Sequence, residues 1–415
     1  MKYDICILGL GYIGLPTAAA FAKIGKTVFG VDVSEKIVNT VNTGQIHIVE
    51  PGLAELINEA VNNKNLKAGT QPLPASCFII AVPTPFKKTA ANPKTPDLSY
   101  VENASRSIAA VIEKGDLVIL ESTSPVGTTE KIINWINDQR NKSNLPNLDR
   151  NEICFAHCPE RVLPGKMLEE LKTNDRVIGG TTDKATTRAA ELYSKICSGE
   201  IFCTTAKTAE MVKLTENSYR DTNIAFANEI SVICDELGLD VWEVIELANR
   251  HPRVKILQPG PGVGGHCIAV DPWFIVDSAP ESSELIKSAR RVNDNKPNHI
   301  ARKILKIAEP LDNPRIACLG LTFKADIDDM RESPARQITE MLSKIERLQL
   351  MIVEPNISQL PESLSNQRNV KLVELGEAVT NSDIILLLVD HKEFRGLNQN
   401  ILKTKHIVDT KGIWR

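Results

Sequence analysis

Short β-branched runs alternate with helical stretches along the first part of the chain, and this alternation constrains the fold more than any other feature. Strands are predicted at residues 4–8, 27–31, 77–81, 117–122, 153–156 and 176–178. Helices are predicted among them, at residues 16–23, 34–43, 53–62, 101–110 and 128–138. Such alternation is typical of a parallel sheet with crossover helices on its faces. Residues 1–203 are therefore predicted to form a doubly wound, Rossmann-like domain.

The same pattern returns in the last third of the chain, after a helical middle. Helical periodicity covers residues 206–236, 241–248 and 284–308. Strands are then predicted at residues 316–319, 348–353, 370–372, 384–389 and 406–409, with a helix at 334–345. Because 415 residues exceed what one hydrophobic core serves, several domains are expected. We predict an α/β fold: two Rossmann-like doubly wound domains, 1–203 and 301–415, joined by a central helical domain, 204–300. The second sheet is evidence for architecture and not for a second dinucleotide site.

A glycine motif follows the first predicted strand. Gly9, Gly11 and Gly14 form a G-x-G-x-x-G sequence before a helix, and Asp32 ends the second strand. In this context the glycines permit a tight turn, the helix N-terminus faces a pyrophosphate, and the acid accepts hydrogen bonds from the adenosine ribose. An acid there repels a 2′-phosphate, so the motif predicts NAD rather than NADP. The alternative is an ordinary strand, turn and helix without a ligand.

Composition limits the classes of partner. The chain is 42% hydrophobic and 24% charged with a net charge of −3, which argues against a basic nucleic-acid surface. No apolar run reaches the ~20 residues of a membrane-spanning helix, and the first residues do not resemble a signal peptide. We therefore expect a cytoplasmic protein with no membrane or nucleic-acid partner. The nine scattered cysteines are expected to be reduced core thiols, and Cys154, His157 and Cys158 are too weak a pattern to predict a metal site.

Residues 258–272 form the most unusual segment of the chain. Four glycines in the six residues 260–265 exclude a regular helix, so the backbone there is shaped to approach something closely. Cys267 follows these glycines beside His266, and Asp271 lies four residues further on. A thiol in such a loop is a candidate nucleophile, whereas a buried thiol such as Cys6 is inert by default.

The first central helix contains a polar face. Lys213, Asn217 and Arg220 follow i, i+4, i+7 spacing, so their side chains share one side of the helix. A solvated surface is the ordinary explanation. Apolar and small residues continue on both sides of this segment, however, which predicts a helix largely enclosed by protein. A lysine in such a low-dielectric cleft can stabilise a developing alkoxide.

Other candidate residues lie at predicted strand ends and in a proline-bounded loop. Thr84 and Thr123 follow two strands, where ligands of parallel sheets bind, although each is also consistent with a structural turn. Glu160 and Arg161 are a carboxylate and a guanidinium on one loop, for which an exposed ion pair is the alternative. Further cations that suit phosphate groups are His251, Arg253, Lys324 and Arg331.

Together these motifs resemble those of the UDP-sugar dehydrogenases. The resemblance covers the G-x-G-x-x-G start, S-T-x-P-V-G-T at residues 122–128, P-E-R-x-x-P-G at 159–165 and K-L-x-E-N at 213–217. It continues through G-G-x-C-x-x-x-D at 264–271 and F-K-x-D-x-x-D-x-R-E-S-P at 323–334. The motifs occur in the family's order and span essentially the whole chain. The resemblance therefore implies an NAD-dependent oxidation of a sugar-nucleotide alcohol to a carboxylate.

The resemblance also implies roles for single residues. The catalytic set would be Cys267 as nucleophile, Lys213 and Asn217 polarising the reacting oxygen, Asp271 assisting proton transfer, and Glu160 as a base or water-positioning group. NAD would be held by Gly9, Gly11, Tyr12, Ile13, Gly14, Asp32, Thr84, Thr123 and Arg331. The UDP-sugar would contact Arg161, Val162, Lys213, Asn217, Arg220, Gly264, Phe323 and Lys324. His251 and Arg253 would reach the sugar site of a neighbouring subunit, which implies a homodimer or a larger homo-oligomer.

Within the family, the chain resembles the bacterial members that oxidise UDP-N-acetyl-D-mannosamine for enterobacterial common antigen. His266 stands where UDP-glucose enzymes usually have serine, which favours an N-acetylated hexosamine. UDP-N-acetylglucosamine is the alternative substrate, because the two sugars differ only in configuration at C2. A one-step hydroxyacid or 6-phosphogluconate-type dehydrogenase would need no thiol. A nucleotide-sensing protein on the same scaffold is the alternative outside enzymes, and it could lose Lys213 or Cys267.

Overall fold

The architecture is that of an α/β protein, seen in a computed structural model that describes residues 2–87, 94–163, 165–265 and 267–414. Two compact units can be distinguished. The first comprises Met1–Glu216 with Trp273–Ser278, and the second comprises Asn217–Pro272 with Ala279–Arg415. The boundary between them falls within one long helix, α8 (Ala206–Leu237). His266, which the sequence analysis relates to an N-acetylated substrate, lies outside the described residues.

The first unit is built on an eight-stranded sheet with the order β3-β2-β1-β4-β5-β6-β7-β8. Its strands are β1 (Tyr3–Leu8), β2 (Val28–Val31), β3 (Leu66–Gly69), β4 (Ala75–Ile80), β5 (Leu117–Leu120), β6 (Cys154–His157), β7 (Arg176–Gly180) and β8 (Ile201–Thr205). The pairing is parallel except between β6 and β7, which are antiparallel. The parallel pairing that the alternating pattern predicts is present from β1 to β6, whereas β7 and β8 at this edge run against the other strands.

Helices cover this sheet in the alternating order that the sequence predicts. They are α1 (Gly14–Lys23), α2 (Glu35–Asn42), α3 (Leu53–Asn62), α4 (Ser99–Ser107), α5 (Thr128–Lys142), α6 (Met167–Thr173) and α7 (Asp183–Tyr193). The sheet is buried on both faces: Ile5 and Ile7 of β1 belong to one apolar cluster, and Cys6 and Leu8 belong to the other. Continuous apolar strands are what a sheet covered on both faces requires. The strands β3 and β8 and the helices α6 and α7 were not predicted.

The second unit contains the rest of α8 and the helices α9 (Val241–Ala248) and α11 (Glu284–Ala308) before its own sheet. Between them, α10 (Asp271–Ser278) begins in the second unit, but its residues Trp273–Ser278 belong to the first. The predicted bounds of α9 and α11 are correct, whereas α10 was not predicted. A helix largely enclosed by protein was expected for α8, and this is wrong for the single chain, since the side chains of Tyr219 and Phe226 are 71% and 50% exposed.

The second sheet has five parallel strands in the order β11-β10-β9-β12-β13. They are β9 (Arg315–Leu319), β10 (Gln349–Val353), β11 (Val370–Leu372), β12 (Ile384–Leu387) and β13 (His406–Asp409). The helices are α12 (Pro334–Ser343), α13 (Glu362–Ser365), α14 (Leu375–Asn381), α15 (Lys392–Arg395) and α16 (Gln399–Leu402). Among the residues that the structure describes, none of the helices combines the length and apolar character that crossing a bilayer requires.

Candidate active site

The glycine motif lies between β1 and α1 in the first unit. Gly9 has a φ of +96°, a conformation that side chains other than glycine rarely adopt. A Cβ at Gly14 would lie 1.9 Å from the carbonyl oxygen of Gly9, so the turn closes only with glycine at this position. A Cβ at Gly11 would meet no atom within 4 Å, which leaves space beside the backbone. This is the arrangement in which a pyrophosphate can approach the start of a helix.

The other predicted NAD-binding residues of this unit surround the same turn. Asp32 is partly exposed at the end of β2, where its carboxylate accepts hydrogen bonds from the backbone N–H groups of Leu10 (3.1 Å) and Ser34 (2.9 Å). The side chain of Tyr12 is 40% exposed, and Ile13 precedes the first residue of α1. The residues present therefore fit a dinucleotide with an unphosphorylated ribose.

Thr84 and Thr123 are close to each other, as expected of residues that follow neighbouring parallel strands. Thr84 Oγ1 donates to the carbonyl oxygen of Thr123 at 2.7 Å, and both side chains are partly exposed. Ser122 Oγ donates to the carbonyl oxygen of Val82 at 2.7 Å, so a second bond joins the same two loops. The loops after β4 and β5 thus form one hydrogen-bonded rim at the carboxyl ends of the strands.

Glu160 lies in the loop after β6 and is buried, with 8% of its surface exposed. Its Oε2 accepts from both terminal nitrogens of Arg176 at 3.1 Å, and its Oε1 accepts from the N–H of Arg161 at 2.8 Å. The buried guanidinium of Arg176 and the N–H of Arg161 therefore fix the position of the carboxylate. In this position Glu160 can act as a base or orient a water molecule.

The neighbouring residues Arg161 and Val162 lie in different surroundings, one charged and one apolar. The guanidinium of Arg161 forms an ion pair with Glu216 at 2.6 Å, so the expected alternative of a Glu160–Arg161 pair is wrong. The side chain of Val162 is partly buried and packs against the apolar core on one face of the sheet. Glu216 lies three residues after Lys213 on α8, and its ion pair therefore connects this helix to the loop that contains Glu160.

A buried acid that the sequence analysis missed lies behind Glu160. Glu121 follows β5 with 2% of its surface exposed, and its Oε1 accepts from the hydroxyl of Tyr193 at 2.9 Å. Burial, followed by the negative charge of Glu160, raises the pKa of Glu121 to about 8. Arg176 stacks on the ring of Tyr193 at 4.8 Å while pairing with Glu160. An acid directly after four apolar strand residues was the signal that could have predicted this group.

A second missed acid, Glu210, lies one turn before Lys213 on α8. Its carboxylate is 1% exposed and accepts three hydrogen bonds: from the N–H of Gly127 (2.5 Å) and from the N–H (2.8 Å) and hydroxyl (2.7 Å) of Thr129. Glu210 therefore caps the N-terminus of α5, which otherwise has no side-chain cap. This bond set connects the helix that carries Lys213 to the loop that carries Thr123.

Lys213 itself is partly buried, close to the end of β6. Burial lowers the pKa of His157 to about 3, and the positive charge of Lys213 acts in the same direction. His157 therefore remains neutral at the pH of the cell, and it lies three residues before Glu160. The lysine ammonium is thus near a neutral, buried ring at the carboxyl end of the sheet.

In the second unit, Asn217 and Asp271 form a direct contact. Asn217 Nδ2 donates to Asp271 Oδ2 at 2.5 Å, and Asp271 is 2% exposed. Cys267 is exposed, and its carbonyl oxygen accepts from the N–H groups of Val270 (3.0 Å) and Asp271 (2.9 Å), which forms the turn that begins α10. Three of the predicted catalytic residues are therefore close together along the backbone or through a side-chain bond. Arg220, one turn further along α8, is exposed.

The glycine-rich loop before Cys267 packs on the segment that contains Phe323. A Cβ at Gly264 would lie 2.9 Å from Phe323 Cβ and 2.6 Å from the carbonyl oxygen of Glu332, and Gly265 (φ +77°) is equally close to the Phe323 ring. The N–H of Gly265 also donates to the carbonyl oxygen of Arg331 at 3.2 Å. The glycines thus allow two loops to approach closely, and this brings together Gly264, Phe323 and Arg331.

A buried polar network that was not predicted holds the start of the same loop. The N–H of Gly260 donates to Asn228 Oδ1 at 2.9 Å, and Asn228 Nδ2 donates to Asn293 Oδ1 at 2.9 Å. Asn293 in turn donates to the carboxylate of Asp221, which also accepts from Arg290 at 2.5 Å. Because all five groups lie on α8, α11 or the loop, the network sets the loop's position relative to these helices.

The remaining predicted cations lie on the surface. Lys324 and Arg331 are exposed, and Arg331 forms an ion pair with Asp329 at 2.6 Å. His251 and Arg253 follow the end of α9 and are exposed, with the N–H of Arg253 donating to His251 Nδ1 at 3.3 Å. His251 and Arg253 are therefore accessible on the surface of the single chain.

Three family models match consecutive parts of the chain. Residues 3–197 match the NAD binding domain of the UDP-glucose/GDP-mannose dehydrogenase family, residues 207–295 match its central domain, and residues 317–415 match its UDP binding domain. The chain belongs to this family. It is an NAD-dependent dehydrogenase, and the prediction of NAD as cofactor is confirmed. The predicted fold, two Rossmann-like sheets with a helical middle, is confirmed as well.

Individual relatives are similar over nearly their whole length. A UDP-N-acetyl-D-mannosamine dehydrogenase of Campylobacter jejuni is 56% identical over 392 residues, which cover 94% of this chain and 96% of the relative. An NDP-N-acetyl-D-galactosaminuronic acid dehydrogenase of Ralstonia nicotianae is 52% identical over 412 residues, with 99% and 96% covered. Among solved structures, a UDP-D-ManNAc dehydrogenase of Pyrococcus horikoshii has a TM-score of 0.86 at 39% identity, with 99% and 96% covered.

Proposed function

We propose that the chain oxidises the C6 alcohol of UDP-N-acetyl-D-mannosamine to the carboxylate, forming UDP-N-acetyl-D-mannosaminuronate with NAD as oxidant. The observation that carries this proposal is the 56% identity to a UDP-N-acetyl-D-mannosamine dehydrogenase over 94% of the chain. The partly buried Asn217–Asp271 contact and the exposed Cys267 supply groups that such a reaction needs. We further propose that the uronate enters a bacterial surface polysaccharide of the enterobacterial common antigen type.

The reaction removes four electrons and therefore proceeds in two oxidations. NAD, when bound, accepts one hydride in each of them. The first oxidation converts the alcohol to an aldehyde, and the Cys267 thiolate then adds to the carbonyl carbon to form a thiohemiacetal. Loss of a second hydride converts this adduct to a thioester. Water cleaves the carbon–sulfur bond, which releases the carboxylate and restores the thiol.

We assign the residues around these steps as follows. Lys213 and Asn217 stabilise negative charge on the reacting oxygen, since an ammonium and an amide N–H act as fixed donors. Asp271, which accepts from Asn217, assists proton transfer. Glu160 acts as a base or orients the hydrolytic water, because its bonds to Arg176 fix the position of its carboxylate. NAD lies against Gly9, Gly11, Tyr12, Ile13, Gly14, Asp32, Thr84, Thr123 and Arg331.

A separate set of residues is assigned to the sugar nucleotide. We propose that Arg161, Val162, Arg220 and Gly264 contact the sugar and that Phe323 and Lys324 bind the UDP part. The matching UDP binding domain at residues 317–415 supports the last assignment. We also propose the domain limits 1–203, 204–300 and 301–415, and a cytoplasmic location, where NAD and UDP-sugars are available.

We propose a homodimer through α8, and an exposed apolar row on this helix supports the proposal. Tyr219, Phe226 and Ile233 repeat every seven residues on this helix and are 71%, 50% and 42% exposed. Apolar side chains at this spacing form one stripe, as in helices that pack on a partner helix. We propose that a second copy covers this row and that its His251 and Arg253 reach the sugar site.

The decisive experiment counts NADH against UDP-sugar consumed, over a panel of N-acetylated substrates. We expect two NADH per UDP-N-acetyl-D-mannosamine and loss of the overall reaction in Cys267→Ser, which still binds NAD. Cys203→Ser is the matched control, because Cys203 is also exposed and lies on β8. Release of free aldehyde, with one NADH formed per UDP-sugar consumed, would refute the covalent mechanism.

The panel also decides among related sugars. The 52% identity to an NDP-N-acetyl-D-galactosaminuronic acid dehydrogenase favours a galacto-configured substrate as the second candidate. UDP-N-acetylglucosamine is the third, as an epimer at C2. A higher kcat/KM for either sugar than for UDP-N-acetyl-D-mannosamine would change the substrate and leave the chemistry as proposed.

A further inference from the structure

The second sheet repeats the glycine turn of the first. Gly320 follows β9 with a φ of +96°, the same value as Gly9 after β1. The N–H of Gly320 donates to the carbonyl oxygen of Val353 at 2.8 Å, and the N–H of Gly9 donates to that of Val31 at 2.8 Å. The start of a dinucleotide site is therefore present twice in the backbone.

The acid at the end of the second strand is also repeated. Glu354 accepts from the N–H of Leu321 (2.7 Å) and of Asn356 (3.1 Å), as Asp32 accepts from the corresponding N–H groups in the first unit. The two acids differ in accessibility, since Asp32 is partly exposed and Glu354 is only 4% exposed. Ribose hydroxyls can reach the first carboxylate and not the second.

His391 is the side chain that covers Glu354. Its position corresponds to that of Thr84 in the first unit. Thr84 lies three residues after Ala81, whose N–H donates to the carbonyl oxygen of Leu8 at 2.8 Å. His391 likewise lies three residues after Leu388, whose N–H donates to the carbonyl oxygen of Leu319 at 2.9 Å. His391 is fully buried, and its Nε2 is 3.1 Å from Glu354 Oε2. Because an ionised carboxylate only accepts, we assign the ring proton to Nε2.

The other ring nitrogen holds the loop that follows Gly320. His391 Nδ1 accepts from the N–H of Asp326 at 2.9 Å, and Asp326 has a φ of +60°, which is strained for a residue other than glycine. At the near end of the loop, Glu354 Oε2 also accepts from the N–H of Thr322 at 3.2 Å. Thr322 Oγ1 donates across the loop to the carbonyl oxygen of Lys324 at 2.9 Å. Phe323 and Lys324 lie between these two anchors.

We propose that His391 and Glu354 form a buried positioning pair, which fixes residues 321–326 for a nucleoside diphosphate and closes this lobe to a dinucleotide. The pair acts through the loop and touches no ligand itself. A diphosphate then meets the exposed ammonium of Lys324, while the carboxylate that would repel it is sealed inside. This inference rests on the proposed role of Phe323 and Lys324 in binding UDP.

A metal site at the same place is the weaker interpretation. Asp326, His391 and Glu393 have potential ligand atoms within 4.8 Å of one another. Both ring nitrogens of His391 are already used, however, one by the N–H of Asp326 and one by Glu354. A cation would have to displace the bond that holds the strained residue, so the geometry favours the positioning role.

Two substitutions separate the two bonds of the ring. His391→Asn places an amide oxygen near the position of Nδ1 and keeps an acceptor for the N–H of Asp326, whereas His391→Ala removes both bonds. We expect UDP to bind roughly tenfold more weakly to the alanine variant and roughly threefold more weakly to the asparagine variant, as each lost bond weakens the loop. The dissociation constant of NAD should stay within about twofold, and the wild type should bind one NAD per chain. Titration calorimetry with UDP and with NAD measures all three quantities.

His406→Gln is the control, because His406 is exposed on the neighbouring strand β13. If the His391 variants do not fold, Thr322→Val removes the bond across the loop and should also weaken UDP selectively. Equal UDP binding in wild type and variants, or a parallel loss of UDP and NAD binding, would overturn the positioning role. Two NAD per wild-type chain would overturn the exclusion of a dinucleotide. A wild type that binds no UDP would instead refute the proposed substrate class.

Discussion

Replacement of Glu121 by glutamine should change how the stability of the first unit depends on pH. The carboxyl is 2% exposed and is surrounded by the hydroxyls of Tyr193 and Thr17 rather than by a cation. The nearby guanidinium of Arg176 is committed to Glu160. Burial and the charge of Glu160 therefore raise the pKa of Glu121 to about 8, and the group retains its proton at neutral pH.

The sign of the effect follows from proton binding in the two states. An unfolded glutamate has a pKa of about 4.3, so between that pH and about 8 the folded chain binds one more proton than the unfolded chain. The free energy of unfolding therefore falls as pH rises through this window, by at most about 1.4 kcal/mol per pH unit from this group. From pH 5 to pH 7 the contribution amounts to about 2–3 kcal/mol. Glutamine has the same shape and does not ionise, so Glu121→Gln lacks this contribution.

Urea unfolding at pH 5, 6 and 7 measures the difference. From pH 5 to pH 7 the free energy of unfolding should fall by about 2–3 kcal/mol more in the wild type than in Glu121→Gln. The variant should therefore be the more stable protein at pH 7. Glu59→Gln is the control, because Glu59 is exposed on α3 and should keep the wild-type slope. Parallel stability curves for the wild type and Glu121→Gln would refute the assignment of a buried, protonated acid.

Three further changes test the NAD site, the helix cap and the assembly. Asp32→Ala should weaken NAD binding by about ten- to a hundredfold and reduce the preference over NADP, because hydrogen bonds from the ribose to a charged acceptor are lost; titration with both cofactors measures this. Glu210→Gln should lower the free energy of unfolding by about 1–3 kcal/mol, since an amide donor then faces an N–H of the α5 terminus, whereas exposed Glu229→Gln should have little effect. Phe226→Asp should shift the mass measured by light scattering towards the monomer, because it places a charge in the exposed apolar row.

Each of these expectations has a clear contrary result. Unchanged NAD affinity in Asp32→Ala would remove the argument from the glycine motif. If Glu210→Gln and Glu229→Gln had the same stability, the buried cap would contribute nothing measurable. A wild type that is already monomeric, or a Phe226→Asp protein of unchanged mass, would exclude α8 as the dimer surface.

The sequence by itself determined the elements and their order. Periods of two and 3.6 residues are properties of neighbouring residues, so the bounds of α3, α9, α11, β11 and β13 were predicted correctly. The glycine motif and Asp32 could also be recognised from the sequence, because a turn between a strand and a helix constrains residues within one short segment. The antiparallel direction of β7 could not be predicted, since strand direction depends on pairing with a distant segment.

Only the tertiary structure decided which charged group meets which. Glu160 pairs with Arg176 rather than with the adjacent Arg161, and Glu210 bonds to the first turn of α5, 81 residues away. Glu354 resembles Asp32 in sequence position, yet a histidine 37 residues further along seals it. Burial determines these pairings, because a polar group removed from water is stable only with a hydrogen-bonding partner, and the fold decides which partner is near. The local pattern therefore predicts a nucleotide-type sheet twice, and long-range packing determines which of the two is open to a dinucleotide ribose.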